Sequence, residues 1–409
     1  MADLVSVPAL VRDDARQRLI DEALAERAAE AERVKQMHRE FLARKLSEAE
    51  QRRLARDPDA KDEEEEEEDD DDEDVEEEDE ELERMHQRVI EKLKVLGARN
   101  REAEKRILDY DPKQGGLYHT RIYDVYDLAS FDYEEESPLP PMRFTNVVYK
   151  SAKDFELCEA VNILSVKIAS LDIDFPIHVY GTVIARDSLD KKCVYLFRRD
   201  RQNFQTINSE EESLILTGPK RGLALISSTY VETNLIIKGD QNHEDRELSK
   251  GLLEIAGMER RVLKTCELES CSLATRLSTV DVKYGVVKDA VEATISIKIL
   301  AGEFFGKITA CSNTIKESLV LHDSRLAHIT SGEKLAPVVV PLLRSVVAVY
   351  VKDKLLLSIT AHTEDGEINT EDGEITRDID PKVNGSAQYE ISVGTTTMLV
   401  EVVWSIIDF

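Results

Sequence analysis

Apolar positions follow three different rhythms along the chain. Over residues 1–60, Leu19, Ile20, Leu24, Ala28, Val34, Met37, Phe41, Leu42 and Leu46 recur mostly every three or four positions. That spacing predicts an amphipathic helix with a narrow apolar stripe, suited to a coiled-coil seam or a partner-docking face. Charges of both signs cover its other faces. Residues 61–83 break the rhythm, because almost every side chain there is acidic. Like charges repel and nothing there can be buried, so the run is expected to be extended and disordered. The helical rhythm returns at Leu82, Met85, Val89, Ile90, Leu93 and Leu96. Gly97 stands where a helix cap would, and the alternative end is Leu108. Residues 84–142 therefore read as a helix followed, from Asp109, by a linker rich in Tyr, Asp, Pro and Gly and docked through its tyrosines.

From Arg143 onward the period shortens to two. Val, Ile, Leu and Thr alternate with polar residues in short runs separated by turn signals. The clearest runs are Ser165–Ile168, Ile177–Arg186, Lys192–Phe197, Leu214–Thr217, Tyr230–Lys238, Leu277–Val287, Ala293–Leu300 and Gly306–Cys311. Further runs are Ser318–His322, Ser345–Val351, Lys354–His362, Tyr389–Val393 and Thr397–Ile407. The fold class is thus mainly β, an antiparallel β-sandwich or barrel, preceded by an α-helical charged N-terminal extension. Four blocks recur in the same order: Ser165–Ile168 with Ser296–Ile299, Tyr180–Ala185 with Phe305–Ala310, Tyr230–Ile237 with Tyr350–Leu357, and Glu247–Gly251 with Glu390–Gly394. They divide 143–409 into two repeated units, about 161–258 and 279–409, either tandem sandwiches or halves of one larger sandwich. Gly181 and Gly306 interrupt matching strands, which signals a bulge or a close backbone approach.

Charge narrows the function. The chain has 409 residues and a formal net charge of -29, and 20 of its acids lie between Asp62 and Glu83. Direct binding of nucleic acid is disfavoured, since phosphates require a basic field. The acidic run instead fits basic partner proteins, drawn by long-range and salt-sensitive attraction. The five cysteines, Cys158, Cys193, Cys266, Cys271 and Cys311, form no CxxC pair and read as free thiols in a reducing compartment. The N-terminal apolar stretch is short for a signal peptide, and the longest apolar run, Ala336–Val351, is cut by Pro337, Pro341 and Arg344. The expected location is cytoplasmic or nuclear, with no membrane partner, and the sequon at Asn384 then carries no meaning.

Catalytic signatures are scarce. No GxSxG elbow, Walker loop, HExxH helix or dinucleotide fingerprint occurs, and no cofactor, metal site or catalytic residue is assigned. His322–Asp323 at a strand end is a candidate acid–base pair, but a solvated strand-end histidine is the plainer reading. Asp187, Asp190 and Asp240 are loop acids of the sort that can bind calcium, yet calcium needs six to eight converging oxygens and turn aspartates explain them as well. Glu30-Ala-Glu-Arg33 matches the short E-A-x-R signature of ribosome-inactivating N-glycosidases, though an Ala/Glu/Arg-rich helix produces it by composition. The one candidate binding cluster is basic: Lys191, Lys192, Arg198, Arg199 and Arg201, with Lys220 and Arg221 in the turn Gly218–Gly222. On paired strands these would hold an anion or the chain's own acidic tract; edge-strand charge that blocks aggregation is the simpler role.

The blocks VYGTVIARDSLD, YLFRRDR, SLILTGPKRGLAL, ELSKGLLEI, RLSTV, AVEATI, GKITA, VVAVYVK and VVWSI together resemble a plant family, found largely in grasses and known only as a domain of unknown function. The resemblance covers about 143–409. It implies a β-rich domain with a variable, charged N-terminal extension, and it supplies no catalytic residues. Some relatives carry the domain beside a ribosome-inactivating N-glycosidase domain, which this chain lacks. The leading expectation is a non-enzymatic interaction protein. An accessory or relative of ribosome-inactivating enzymes and a small-ligand-binding sandwich, with loops 186–192 and 218–222 as its mouth, are the alternatives.

Overall fold

The computed structural model describes residues 15–25, 29, 33, 36, 72–240, 243–257, 264–326, 338–362 and 373–407, with the backbone alone over 72–83. The chain divides into two compact units, Met1–Tyr118 with Tyr126–Phe131, and His119–Val125 with Asp132–Phe409.

In the first unit, residues 15–25 are helical, and a 33-residue helix α1 (Asp72–Glu104) follows. The helix corrects the expectation of an extended acidic run, because residues 72–81 are already helical. Glutamate is a good helix former, and acids in the first turns complement the positive end of the helix dipole. The rest of that run, 61–71, lies outside the described residues. Gly97 does not end α1, which continues to Glu104. Its last turns are fastened: Arg99 donates to Ser130 Oγ at 3.0 Å and Asn100 to the carbonyl of Tyr126 at 2.9 Å. A short hairpin, β1 (Leu108–Asp111) and β2 (Gly116–His119), closes the unit, turning through Gly115 at φ 75°. Arg16 reaches the same corner, its Nε donating to Asp109 at 2.6 Å.

The second unit holds two antiparallel sandwiches in tandem, which settles the choice between sandwich and barrel. In the first, one sheet runs β10 (Glu267–Thr275), β11 (Ser278–Val287), β3 (Ala160–Leu171), β7 (Leu223–Ala224). The facing sheet runs β5 (Val194–Arg199), β4 (Ile177–Arg186), β8 (Ser228–Ile237), β9 (Arg246–Ala256), with β6 (Gln205–Ile207) also on β4. The second sandwich repeats this order. β19 (Gly385–Val393), β20 (Thr396–Ile406) and β12 (Ala290–Ala301) are joined by β15 (Val338–Val339) and β16 (Val346–Tyr350). Opposite lie β14 (Leu319–Asp323), β13 (Gly306–Ser312), β17 (Leu355–Ala361) and β18 (Glu374–Ile379). Each sandwich buries its own apolar cluster, one around Val183, Leu196 and Tyr284, the other around Ile295, Leu357 and Trp404.

Topology corrects part of the repeat. β3 answers β12 and β4 answers β13, as the first two blocks require. Gly181 faces Leu235 while Gly306 faces Ala361, so the block at Tyr230 belongs with β17 six residues later than its sequence match at Tyr350. Glu247–Gly251 lies in β9, whose counterpart is β18, whereas Glu390–Gly394 covers the end of β19, in the other sheet, and the residue after it. Both slips have one cause: alternating Val, Leu and Ile fit many registers equally well. The paired glycines do share a role. A Cβ at Gly181 would lie 2.1 Å from the carbonyl oxygen of Asn234, and one at Gly306 would lie 2.0 Å from that of Thr360.

Polar bonds join the sandwiches. Asn162 exchanges two hydrogen bonds with the backbone of Ala348, at 2.7 and 2.9 Å. Buried Arg344 donates to the carbonyls of Ile163 and Leu164 at 2.7 and 3.1 Å. Glu292 accepts from the amides of Gly222 and Met142 at 2.6 and 2.7 Å.

Candidate functional site

The basic cluster lies around one end of the first sandwich, on β5 and on the turns at 187–192 and 218–222. The chain itself already fills the space between those turns. Residues 119–125 and 132–137 cross there as a strap, and its anchor is a charge that the strand pattern hid. Glu232, on β8, is 3% exposed. Its carboxylate accepts from Arg186 at 2.8 and 3.1 Å, from Arg121 at 2.8 Å and from the amide of Ile122 at 2.8 Å. Arg186, fully buried, also donates to the carbonyl of Tyr133 at 2.6 Å, and Arg121 stands over the Tyr133 ring at 5.0 Å. Burial would lower the Arg121 pKa, but Glu232 and Glu134 outweigh it and the net shift is upward. Burial and the nearby Glu232 charge push the Tyr133 hydroxyl up to about 12. Two tyrosines of the strap make ring contacts within it, Tyr123 stacking on His119 with centroids 4.0 Å apart and Tyr133 lying beneath Arg121.

The strap then presents Glu135, Glu136 and Ser137 to the basic residues. Lys192 donates to Glu135 at 2.5 Å, Lys220 to Glu136 at 2.7 Å, and Arg198 stands 4.0 Å from Glu136. Bonding to Glu135 raises the Lys192 pKa. Lys191 pairs with Asp124 at 2.9 Å. Arg221 is almost fully buried, gripping Asp187 at 2.5 and 3.0 Å and reaching Asp190 at 3.3 Å and Ser137 Oγ at 3.1 Å. Arg201 is elsewhere, bidentate on Asp245 at 2.8 and 3.1 Å. That grip and the Tyr180 hydroxyl hold the Asp245 carboxyl below the usual range.

The cluster is therefore not one site. Six of its seven cations face carboxylates of the same chain, and the mouth between 186–192 and 218–222 is occupied by 133–137. Arg199 is the exception. It donates to the carbonyl of Asn203 at 3.1 Å and lies 5.9 Å from the Phe197 ring, with no carboxylate partner among the described residues. Burial lowers its pKa. Together with Phe197, Arg198, Asp200, Asn203, Ile215 and Thr217 it lines an open hollow of about 210 Å³.

Two of the other candidates resolve differently from expectation. His322 is fully buried rather than solvated, and it does not pair with Asp323. Its Nδ1 donates to the carbonyl of Pro341 at 2.9 Å, and its Nε2 lies 3.0 Å from Ser324 Oγ. Asp187 and Asp190 neutralise Arg221, and Asp240 bonds His243 at 2.8 Å. Among the described residues no group of three or more His, Cys, Asp or Glu could hold a metal ion. Glu30 lies outside the described residues, so the E-A-x-R match has no geometry. All five cysteines are free thiols, and burial raises the pKa of Cys193, Cys266 and Cys311. No described helix is long and apolar enough to cross a membrane.

Sequence reasoning missed Arg121, Arg186, Glu232 and the Glu134–Glu136 run. Glu232 sits inside an otherwise well-patterned strand, and an acid at an inward position is the one signal that pointed to it.

Comparison with known proteins adds a family and little more. No curated protein matches the chain. Two structures of human GIVD cytosolic phospholipase A2, one with methyl γ-linolenyl fluorophosphonate and one without, align at 9% and 10% identity. Their TM-scores are 0.20 and 0.19, over 62% and 60% of this chain but only 33% and 32% of theirs. The chain thus spans about a third of those proteins' length, and likeness at that level carries no functional argument. The family model for a domain of unknown function, DUF6598, matches residues 160–402, which takes in both sandwiches from β3 into β20. The chain belongs to the DUF6598 family.

Proposed function

We propose that this protein is a non-catalytic interaction protein. The two sandwiches form the platform, and the charged N-terminal extension recruits basic protein partners. The observation that carries the reading is the extension itself: 20 acids in the 22 positions 62–83, continuing directly into a helix with Met85, Val89, Ile90, Leu93 and Val95 exposed. Such a surface attracts cationic partners fast and from a distance, in a salt-dependent way. The basic face of the first sandwich supports the same reading by elimination. All of its cations but Arg199 are matched internally, so the face as a whole is a poor receptor for an outside anion while the strap stays in place. The test is fluorescence anisotropy with a Lys/Arg-rich peptide against the full chain and a variant lacking 62–83. The full chain should bind, weakening as salt rises; equal affinity in the deletion variant would refute the proposal.

A second reading rests on Arg199. A guanidinium half-buried without a carboxylate bond of its own, beside Arg198, Asn203 and Thr217, suits a small phosphate-like anion, with the Asp200 carboxylate in the same lining turned to Asn203. Phosphate should then raise the melting temperature of the wild type and not of Arg199→Ala. No phosphate shift in the wild type would remove this reading.

A further inference from the structure

The strap over the first sandwich is held in two unlike ways. Its first part is anchored by buried charge. Arg121 and the amide of Ile122 both reach Glu232, and Arg186 takes the carbonyl of Tyr133. Its last part, 134–137, lies at the surface. The side chains of Glu135 and Glu136 are 49% and 41% exposed, against 3% for Glu232. They meet Lys192 and Lys220 in ion pairs of the surface kind, which water and salt weaken.

Backbone bonds show what kind of contact this last part makes. The amide of Cys193 donates to the carbonyl of Glu135, and the amide of Ser137 donates to the carbonyl of Cys193, both at 2.9 Å. Glu136 is thus the parallel partner of Cys193, one residue before β5, which is an edge strand of its sheet. Addition to a sheet edge is one of the ways in which proteins take up extended peptides. The slot is one rung long. Pro138 brings no N–H to continue the ladder, and further along β5 the carbonyl of Leu196 is already taken by the amide of Thr217.

Side chains give the slot a preference. Lys192 takes the acid before the rung at 2.5 Å, and Lys220 takes the acid on it at 2.7 Å, with Arg198 4.0 Å from the same carboxylate. At the third position Ser137 Oγ donates to Asp190 at 2.7 Å and accepts from Arg221 at 3.1 and 3.2 Å. Asp190 would repel a carboxylate or a phosphate there, so this position selects a neutral hydroxyl.

We propose that Glu135-Glu136-Ser137 is a built-in ligand, and that the slot it fills beside Cys193 is a binding site for an extended acidic peptide of another protein, of the form acid-acid-Ser. The buried anchor keeps the strap in place while its acidic end opens locally, so exchange needs no unfolding of the sandwich. The tethered end competes at a high effective concentration, and an outside peptide enters as that end is weakened. The site is separate from the recruitment of basic proteins by the N-terminal extension and does not rest on it.

The test is fluorescence anisotropy with a labelled peptide copying residues 132–140, in moderate salt that screens the chain's net charge. Three full-length chains are compared: the wild type, Glu135→Gln with Glu136→Gln, and that pair combined with Lys192→Gln and Lys220→Gln. The double variant weakens the tethered competitor and should bind the peptide at least about ten times more tightly than the wild type. The quadruple variant should lose that gain. A peptide carrying phosphoserine in place of the serine should bind the double variant at least about ten times more weakly. Hydrogen exchange over 134–137 should quicken in the double variant while exchange over 119–123 stays as it is. Equal peptide affinity in the wild type and the double variant would overturn the proposal, as would a gain that survives loss of both lysines. Equal binding of the phosphopeptide would overturn it too, and so would unchanged exchange over 134–137. No basic partner enters these measurements, so their failure is distinguishable from failure of recruitment.

Discussion

Glu232 shows how one side chain orders a segment that the sequence marks as linker. It brings together two arginines and a backbone amide, with Arg186 fully buried and Glu232 3% exposed. Removing one partner of such a buried set leaves a charge without compensation, at a cost of about 3–5 kcal/mol. Glu232→Ala should therefore lower stability by that amount in urea denaturation and speed hydrogen exchange across 119–137. A second residue-scale prediction concerns pH. Burial with the Glu232 charge pushes Tyr133 up to about 12, and burial with the bond to Asp245 does the same for Tyr180. A folded pKa above the unfolded value, about 10 for tyrosine, favours the protonated form in the folded state. The stability it contributes is present below pH 10 and is lost as pH rises through about 12. Stability should therefore fall between pH 10 and 12, coincident with phenolate absorbance, and Tyr180→Phe should remove part of that fall.

Among the elements, the strands were legible because their period is two and turns punctuate them; β4 spans Ile177–Arg186 as read from the sequence. β9, β10 and β18 were not. In β10 (ELESCSLAT) and β18 (EITRDI) polar residues outnumber apolar ones on edges that water covers, so alternation was faint. Leu214–Thr217 failed in the opposite direction, being apolar and inward-facing at 214 and 216 without forming a strand. The acidic run read as a coil because repulsion was weighed and helix propensity was not. Its helical part suggests that Glu-rich sequence next to an apolar stripe should be read as the opening of that helix. Gly181 and Gly306 are the elements' most exacting positions, for a methyl group would strike a neighbouring carbonyl in either half. Gly181→Ala, at φ 114°, should cost about 2 kcal/mol or more, and Gly306→Ala a similar amount. Loss of less than about 0.5 kcal/mol at either site would mean that the cross-strand approach is not as close as described.

At the scale of the whole chain, duplication explains why two sandwiches with one strand order follow each other, and why they are not independent. Ala160, Leu164 and Ala224 of the first half belong to the apolar cluster of the second, and Arg344 and Asn162 bond across the join. Burial lowers the Arg344 pKa to about 10, and among the described residues its hydrogen bonds go to the carbonyl oxygens of Val320, Ile163 and Leu164. Arg344→Ala removes those bonds. It should destabilise both sandwiches together by about 3 kcal/mol, seen as a shift of one cooperative transition rather than the appearance of two. The basic cluster was visible in the sequence as seven residues, but its internal neutralisation was not, because Glu135, Glu136 and Asp187 reach it only through tertiary structure. That neutralisation leaves the N-terminal extension, the surface expected from the sequence to take basic partners, as the proposed binding surface. The direct measurement is a pull-down of purified core histones with three baits at low and moderate salt: the full chain, the chain lacking 62–83, and residues 143–409. The account predicts retention by the full chain alone, fading as salt rises. Equal, salt-resistant retention by all three would place binding on the sandwiches and contradict it.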